Sequence, residues 1–234
     1  MIKELIYDNR RIKYSLSFSD RKTLGIKVTP DKSVEVIAPL DARRDQIQEM
    51  LKKKASWILK QQSHFESFGP LTPPRQYVSG ETHLYLGRQY RLRVREALKE
   101  EVQQEQGYIY VLLKDRSDKQ RKELLLKSWY KDRAIEIFPS MLQKMLKLSF
   151  TFVKKFGELK YRWMNKRWGS CLPNGNIILN PALIKAPKSC IEYVMTHELC
   201  HLEHLNHSKA FYALLERYCP KWKEIKHRME VMLS

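Results

Sequence analysis

Tyr193-Val-Met-Thr-His197-Glu198-Leu-Cys-His201-Leu-Glu-His204-Leu-Asn-His207-Ser208 holds four of the seven histidines in the chain. Its spacing decides both the local fold and the chemistry. On a helix, His197 and His201 are one turn apart on the same side, so both imidazoles can reach one ion at about 2 Å. Zinc suits such a nitrogen donor set. Glu198 is turned by about 100° from His197, which sets its carboxylate beside an ion without aiming it to ligate, as a proton acceptor requires. His204 would lie roughly 10 Å beyond His197 on a continuous helix and could not share the ion. His207 reaches it only if the helix ends first, and Asn206, which tolerates left-handed backbone and can cap a following helix, supplies the break. The spacing therefore predicts a helix that stops near Leu205, with His207 returning to the ion as third ligand. One zinc ion per chain is expected, with a coordination position left open for water.

The apolar pattern agrees. Ile191, Val194, Met195, Leu199, Leu202 and Leu205 form one stripe at helical period, with the histidines along its border. Glu198 falls among these positions, and a buried carboxylate needs a partner. Cys200 points away from the histidines and is expected in the core, and Ser189 is a candidate cap. Just upstream, residues 160–168 and 176–180 read as strands joined through 169–175, where Asn174-Gly175 signals a tight turn. This hairpin, ending at Asn180, either lies beside the cleft, where it could pair with an extended peptide and bring Asn180 to the substrate, or is simply an internal strand. Arg162, Arg167 and His204 are candidates to steady an oxyanion or a phosphate, and Cys171 is a candidate extra ligand or a small buried residue. After His207, Phe211, Leu214, Leu215 and Tyr218 mark one amphipathic helix, and Trp222, Ile225 and Met229 a last one. Both are expected to brace the site.

The first half reads differently. Residues 4–7, 12–18, 24–28 and 34–38 alternate as strands between turn clusters, which predicts a small antiparallel meander. A helix over 41–65 follows, with Ile47, Met50, Leu51, Ile58 and Leu59 inward. Gly69-Pro70-Leu-Thr-Pro73-Pro74 breaks the chain. Strands over 82–86, 89–95 and 108–113 are expected to join the first sheet, and a helical pattern then runs from Asp118 towards Leu148, with Pro139 as a kink or junction. Along it, Leu124, Leu125, Trp129, Ile135 and Ile137 are expected on buried faces. The class is α+β: an antiparallel β-rich N-terminal part with one long helix over 1–116, then a mainly helical domain carrying the hairpin and the metal site over 117–234.

With 234 residues, 43% of them hydrophobic, the chain can bury a sizeable core. The first residues carry no long apolar run of the secretory kind, and no segment approaches a membrane span, so a cytoplasmic location with reduced thiols is expected. Net charge is +18, and Lys and Arg number ten between Ile137 and Ile191 against the single acid Glu158. Basic charge thus gathers just before the metal helix, which favours an anionic partner such as a nucleotide, a nucleic acid or an acidic polypeptide.

Arg167-Trp168-Gly169-Ser170-Cys171, Asn180, His197-Glu198-Leu-Cys-His201 and Asn206-His207-Ser208 with Phe211 together resemble the YgjP-like family of metal-dependent hydrolases, relatives of the SprT-like zincins. The resemblance covers nearly the whole chain and is most specific from Trp129 to Trp222. It implies a zincin-like second domain, with zinc on His197, His201 and His207 and Glu198 as general base. It also implies a peptidase acting on polypeptide; a nucleotide pyrophosphohydrolase activity on UTP is the alternative that the family brings. Both reactions suit a zinc-activated water. A nucleic-acid-associated module with structural zinc is a third reading, although structural sites normally close with four protein ligands.

Overall fold

The structure, a computed structural model, describes residues 2–29, 31–66, 75–149 and 155–233. The chain forms two compact units, Met1–Pro73 and Pro74–Leu233. The expected break at Gly69–Pro74 lies outside the described residues. Residue 116, where the sequence reading placed the change from strand-rich to helix-rich chain, falls inside the second unit, between its four-stranded sheet and the long helix that follows.

In the first unit, β1 (Ile2–Tyr7), β2 (Arg10–Ser19), β3 (Gly25–Val28) and β4 (Val34–Pro39) form one sheet in the order β1-β2-β4-β3. The expected meander is therefore corrected: β2 and β4 run parallel, with Leu16 opposite Val36, and β3 lies outside β4. Burial explains the order. Val34, Val36 and Ala38 of β4 are almost wholly buried, whereas β3 has no fully buried residue, so the more apolar strand takes the inner place and the weaker one the edge. Asp8 and Asn9 both adopt positive φ (48° and 58°), as a two-residue hairpin turn matched to strand twist requires. Helix α1 (Arg44–Glu66) covers the sheet, and Ile47, Leu51, Ala55 and Ile58, at helical spacing, complete the core with Leu5, Ile12 and Tyr14.

The second unit begins with the same plan. Strands β5 (Thr82–Tyr85), β6 (Arg88–Glu96), β7 (Glu101–Glu105) and β8 (Tyr108–Leu113) form a sheet of order β5-β6-β8-β7, again with its inner pair parallel. These strands do not join the first sheet, contrary to the sequence expectation. Each sheet has its own following helix to cover its apolar face, here α2 (Lys119–Ser149). At one constant offset along the chain, Val34, Val36, Ala38 and Leu51 correspond to Ile109, Val111, Leu113 and Leu126, all of them core residues. The fold thus repeats a ββββα plan that the sequence does not display, because burial and strand order are kept while residue identity is not.

After α2, which continues through Pro139, β9 (Leu159–Tyr161), β10 (Gly169–Cys171) and β11 (Ile177–Leu179) form a third sheet in the order β10-β11-β9. The hairpin is β10–β11, with Gly175 at φ +82° in its turn; β9 pairs with β11 in parallel. A 3-10 segment, Pro181–Lys185, leads to α3 (Lys188–Cys200), and α4 (Lys209–Tyr218) and α5 (Trp222–Leu233) close the chain. The β5–β6 turn holds the entrance to α3: Leu86 N–H donates to Ile184 O at 2.8 Å and Gly87 N–H to Lys185 O at 3.0 Å. Gly87, at φ +76°, packs so closely on Pro187 that a Cβ would come within 2.7 Å of its ring.

Candidate metal centre

Helix α3 opens on Pro187, whose carbonyl accepts from Cys190 and Ile191 N–H. The expected cap Ser189 lies inside the first turn and makes no capping bond. Ile191, Val194, Met195 and Leu199 are buried as the stripe predicted, and Cys200 is buried as its position away from the histidines predicted. The helix ends at Cys200, five residues earlier than expected from Asn206, with His201 as its C-cap, and a turn carries the chain on. Leu205 is consequently 77% exposed and not part of the stripe. Ser208, not Asn206, caps α4, accepting from Phe211 N–H at 3.3 Å.

This early ending folds His207 back. His197, His201 and His207 each present one ligand atom, and these atoms lie within 4.8 Å of one another. His197 Nε2 and His207 Nε2 are 3.0 Å apart, close to the roughly 3.3 Å that two nitrogens take on a tetrahedral zinc. Phe211, fully buried, lies under all three rings at centroid distances of 5.0, 4.6 and 4.7 Å. His201 Nδ1 donates to the carbonyl of His204 at 3.0 Å. A carbonyl can only accept, so the proton is on Nδ1 and the Nε2 lone pair is free for a metal. Burial, reinforced by the neighbouring histidines, pushes His197 down to about 4, and burial also lowers His207. Both are held as neutral imidazoles, the form that ligates. The donor set therefore fits a divalent metal of the zinc type.

Glu198 is buried beside them. Burial pushes its carboxyl up to about 7, against the lowering effects of a hydrogen bond from Cys171 N–H and the charge of Arg167. Strand β10 lies directly on it: a Cβ on Gly169 would be 2.7 Å from Glu198 Oε1 and Cγ. The cleft over this group has a volume of about 510 Å³ and is lined also by Arg167, Trp168, Tyr193, Lys226, Met229 and Glu230. Cys171 faces it as a thiol, since burial and the charge of Glu198 raise it to about 11.

The other expected contacts fall elsewhere. Arg162 and His204 do not line the cleft. Asn180 is buried and fully engaged by backbone: its Nδ2 donates to Met164 O and Arg167 O at 2.7 and 3.1 Å, and its Oδ1 accepts from Ala182 N–H at 3.1 Å. It thus ties the segment bearing Arg167 to the start of the 3-10 turn. Sequence reasoning quoted Gly169 without giving it a role, and missed the Cys171 amide and the cleft face of α5. Lys226 and Glu230 are an i, i+4 pair, 3.8 Å apart, and in sequence they look like any solvated helix face.

A profile of the YgjP-like metallopeptidase domain matches residues 22–232. The chain belongs to the YgjP-like family. No curated protein matches it. Among solved structures, the metallopeptidase zymogen of Pyrococcus abyssi abylysin is similar at 23% identity and a TM-score of 0.34, over 38% of this chain and 90% of that one. Membership makes this chain a metallopeptidase by family, and the histidine cluster on α3 and after it is where a YgjP-like protein of this sequence can hold its metal. No helix among the described residues is long and apolar enough to cross a membrane.

Proposed function

We propose that this chain is a zinc-dependent peptidase in which His197, His201 and His207 hold one zinc ion and Glu198 is the general base. The observation that carries the reading is the convergence of three imidazoles beside a buried carboxylate at the floor of a cleft. A zinc ion held there would supply Lewis-acid polarisation of the scissile carbonyl and acidify a water molecule. Glu198 takes the proton of the attacking water on a carboxylate oxygen and then gives it to the leaving amine nitrogen, so the proton is transferred within the site. A carboxyl raised towards neutrality by burial is matched to both halves of that transfer. The Cys171 amide and the close approach of Gly169 hold the carboxylate in place. Arg167, in the cleft wall, offers positive charge to the oxygen that becomes negative during attack.

Two measurements test this together. Metal analysis of the purified chain should give one zinc per chain, and a screen of unfolded proteins and peptides should give cleavage that Glu198→Gln removes, by about 100-fold or more, while the zinc stays bound. Full activity of Glu198→Gln on an identified substrate would overturn the assignment. Arg167 and Lys226 in the cleft favour one second reading, hydrolysis of a nucleoside triphosphate such as UTP. Pyrophosphate release that Glu198→Gln abolishes, without peptide cleavage, would select it.

A further inference from the structure

A second cavity in the same unit, of about 190 Å³, shares no lining residue with the metal cleft. Its chemistry is cationic. His83 of β5 lines it, is 3% exposed, and has an Nε2 with no hydrogen-bond partner. A buried polar atom left unpaired costs about 1–3 kcal/mol, so an atom of this kind on a residue that lines a cavity points to a group there that a small shift of the ring would let it meet.

Lys185, the last residue of the 3-10 segment, also lines it, with its Nζ over the Tyr130 ring, 4.9 Å from the centroid. Among the described residues no carboxylate pairs with it. Lys127 of α2 brings its Nζ to 5.4 Å from the Trp163 ring and is likewise without an ion pair among the described residues. Arg75 is already engaged, by Glu81 at 3.3 Å and the carbonyl of Thr82. Glu123 is the one carboxylate in the wall.

With Arg75 balanced by Glu81, the two lysines outweigh Glu123. A metal cation is disfavoured, and an anion would complete Lys185, Lys127 and His83 together. Burial lowers Lys185 to about 8 and His83 to about 4, so near pH 7 the cavity offers a mostly protonated amine beside a neutral imidazole that can donate from Nε2. Charge-assisted bonds of this kind are the strong ones.

We propose that this cavity binds a phosphate-sized oxyanion, held by Lys185 Nζ and His83 Nε2 with Lys127 beside them. The anion would join β5 and α2 to the segment that leads into α3. That segment already receives Gly87 N–H on the Lys185 carbonyl, so the anion fastens the entrance of the metal helix. The proposal does not depend on the peptidase reading.

The test uses the full, metal-loaded chain and inorganic phosphate, with sodium chloride at matched ionic strength as control. The imidazole nitrogen and proton signals of His83, assigned by their loss in His83→Gln, report this cavity and not the metal cleft. Phosphate should shift them saturably and raise the Tm beyond chloride. Lys185→Met should weaken the phosphate Kd by about tenfold or more, the equivalent of one charge-assisted bond, and Lys127→Met, on the exposed side of α2, should weaken it less. His83 signals that do not move, or move equally in chloride, would leave the cavity hydrated and overturn the proposal. So would a phosphate response unchanged in both lysine variants.

Discussion

His197 Nε2 and His207 Nε2 lie 3.0 Å apart across ten residues of chain, because α3 ends at Cys200 and the following turn reverses direction. That reversal also sets His204 with its carbonyl on His201 Nδ1 and its side chain outside the cleft. Two alanine variants should therefore part company. His207→Ala removes the proposed third ligand and should weaken zinc binding by more than the roughly 10- to 100-fold typical of losing an outer partner. His204→Ala keeps the carbonyl and should stay within about threefold of the parent. Competition with a chromogenic chelator gives both numbers, and equal losses in the two variants would remove His207 from the ligand set.

Gly169 makes a separate prediction, because nothing about it is chemical. Its Cα packs against Glu198, and a methyl group would meet Oε1 and Cγ of that carboxylate at 2.7 Å. Glu198 is itself buried under β10, so relief must come from a shift of the strand or of the carboxylate. Gly169→Ala should cost about 1–3 kcal/mol of stability, the range for overpacking, and lower kcat/KM by tenfold or more with zinc content unchanged. A variant with normal kcat/KM would show that the Glu198 position tolerates displacement.

The three-histidine cluster was legible in the sequence because it sits on one continuous stretch, where helical period alone brings His197 and His201 together and a single reversal adds His207. Its supports were not. The Cys171 amide that bonds Glu198 is backbone and leaves no residue signature, and Gly169 is informative only once Glu198 is known to lie against it. The helix end was misread because Asn206 is a fitting breaker by type, yet the chain had already turned at His201, which left Leu205 in solvent. Strand order failed for a different reason. Local alternation identifies strands but not neighbours, and the crossing that places β3 outside β4, and β7 outside β8, is a non-local choice settled by which strand has more to bury. Leu124 and Ile135 of α2, expected inward, are 57% and 43% exposed, since α2 offers more apolar positions than one buried face can use.

Gly87 is the point at which the second sheet holds the metal helix, and its geometry allows a sharp prediction. Any other residue there must accept φ +76° and a Cβ within 2.7–2.9 Å of Pro187 Cγ and Cα. Gly87→Ala should cost about 2–4 kcal/mol, left-handed strain and overpacking together, and should lower zinc affinity because the start of α3 loses its hold. The variant Gly80→Ala is the control: Gly80 also has positive φ, at +96°, but a Cβ there meets nothing within 4 Å, so only strain of about 1 kcal/mol is expected. Urea unfolding of the two variants side by side measures the difference.

His83 supplies the pH dependence. Burial, with the charges of Arg75 and Lys185 adding to it and that of Glu81 opposing, lowers its pKa from 6.5 to about 4. Its other neighbours in the cavity wall are Tyr77, Glu123, Lys127 and Tyr130. The folded state keeps the imidazole neutral while the unfolded chain takes up a proton below about 6.5, so the unfolded state binds more protons between the two values. Stability is therefore full above pH 6.5 and declines as the pH falls towards 4, by up to about 3 kcal/mol from this group. His197 titrates in the same window, so the informative quantity is the difference between parent and His83→Gln, which cancels the histidines common to both. Denaturant unfolding of the second unit, in chloride buffers from pH 7 to pH 4, should show a flatter profile for His83→Gln than for the parent. Parallel profiles would mean that His83 takes up its proton in the fold as readily as in the unfolded chain. Phosphate present in the same series should shrink the difference, because an anion beside His83 favours its charged form and raises the folded-state pKa towards the unfolded value.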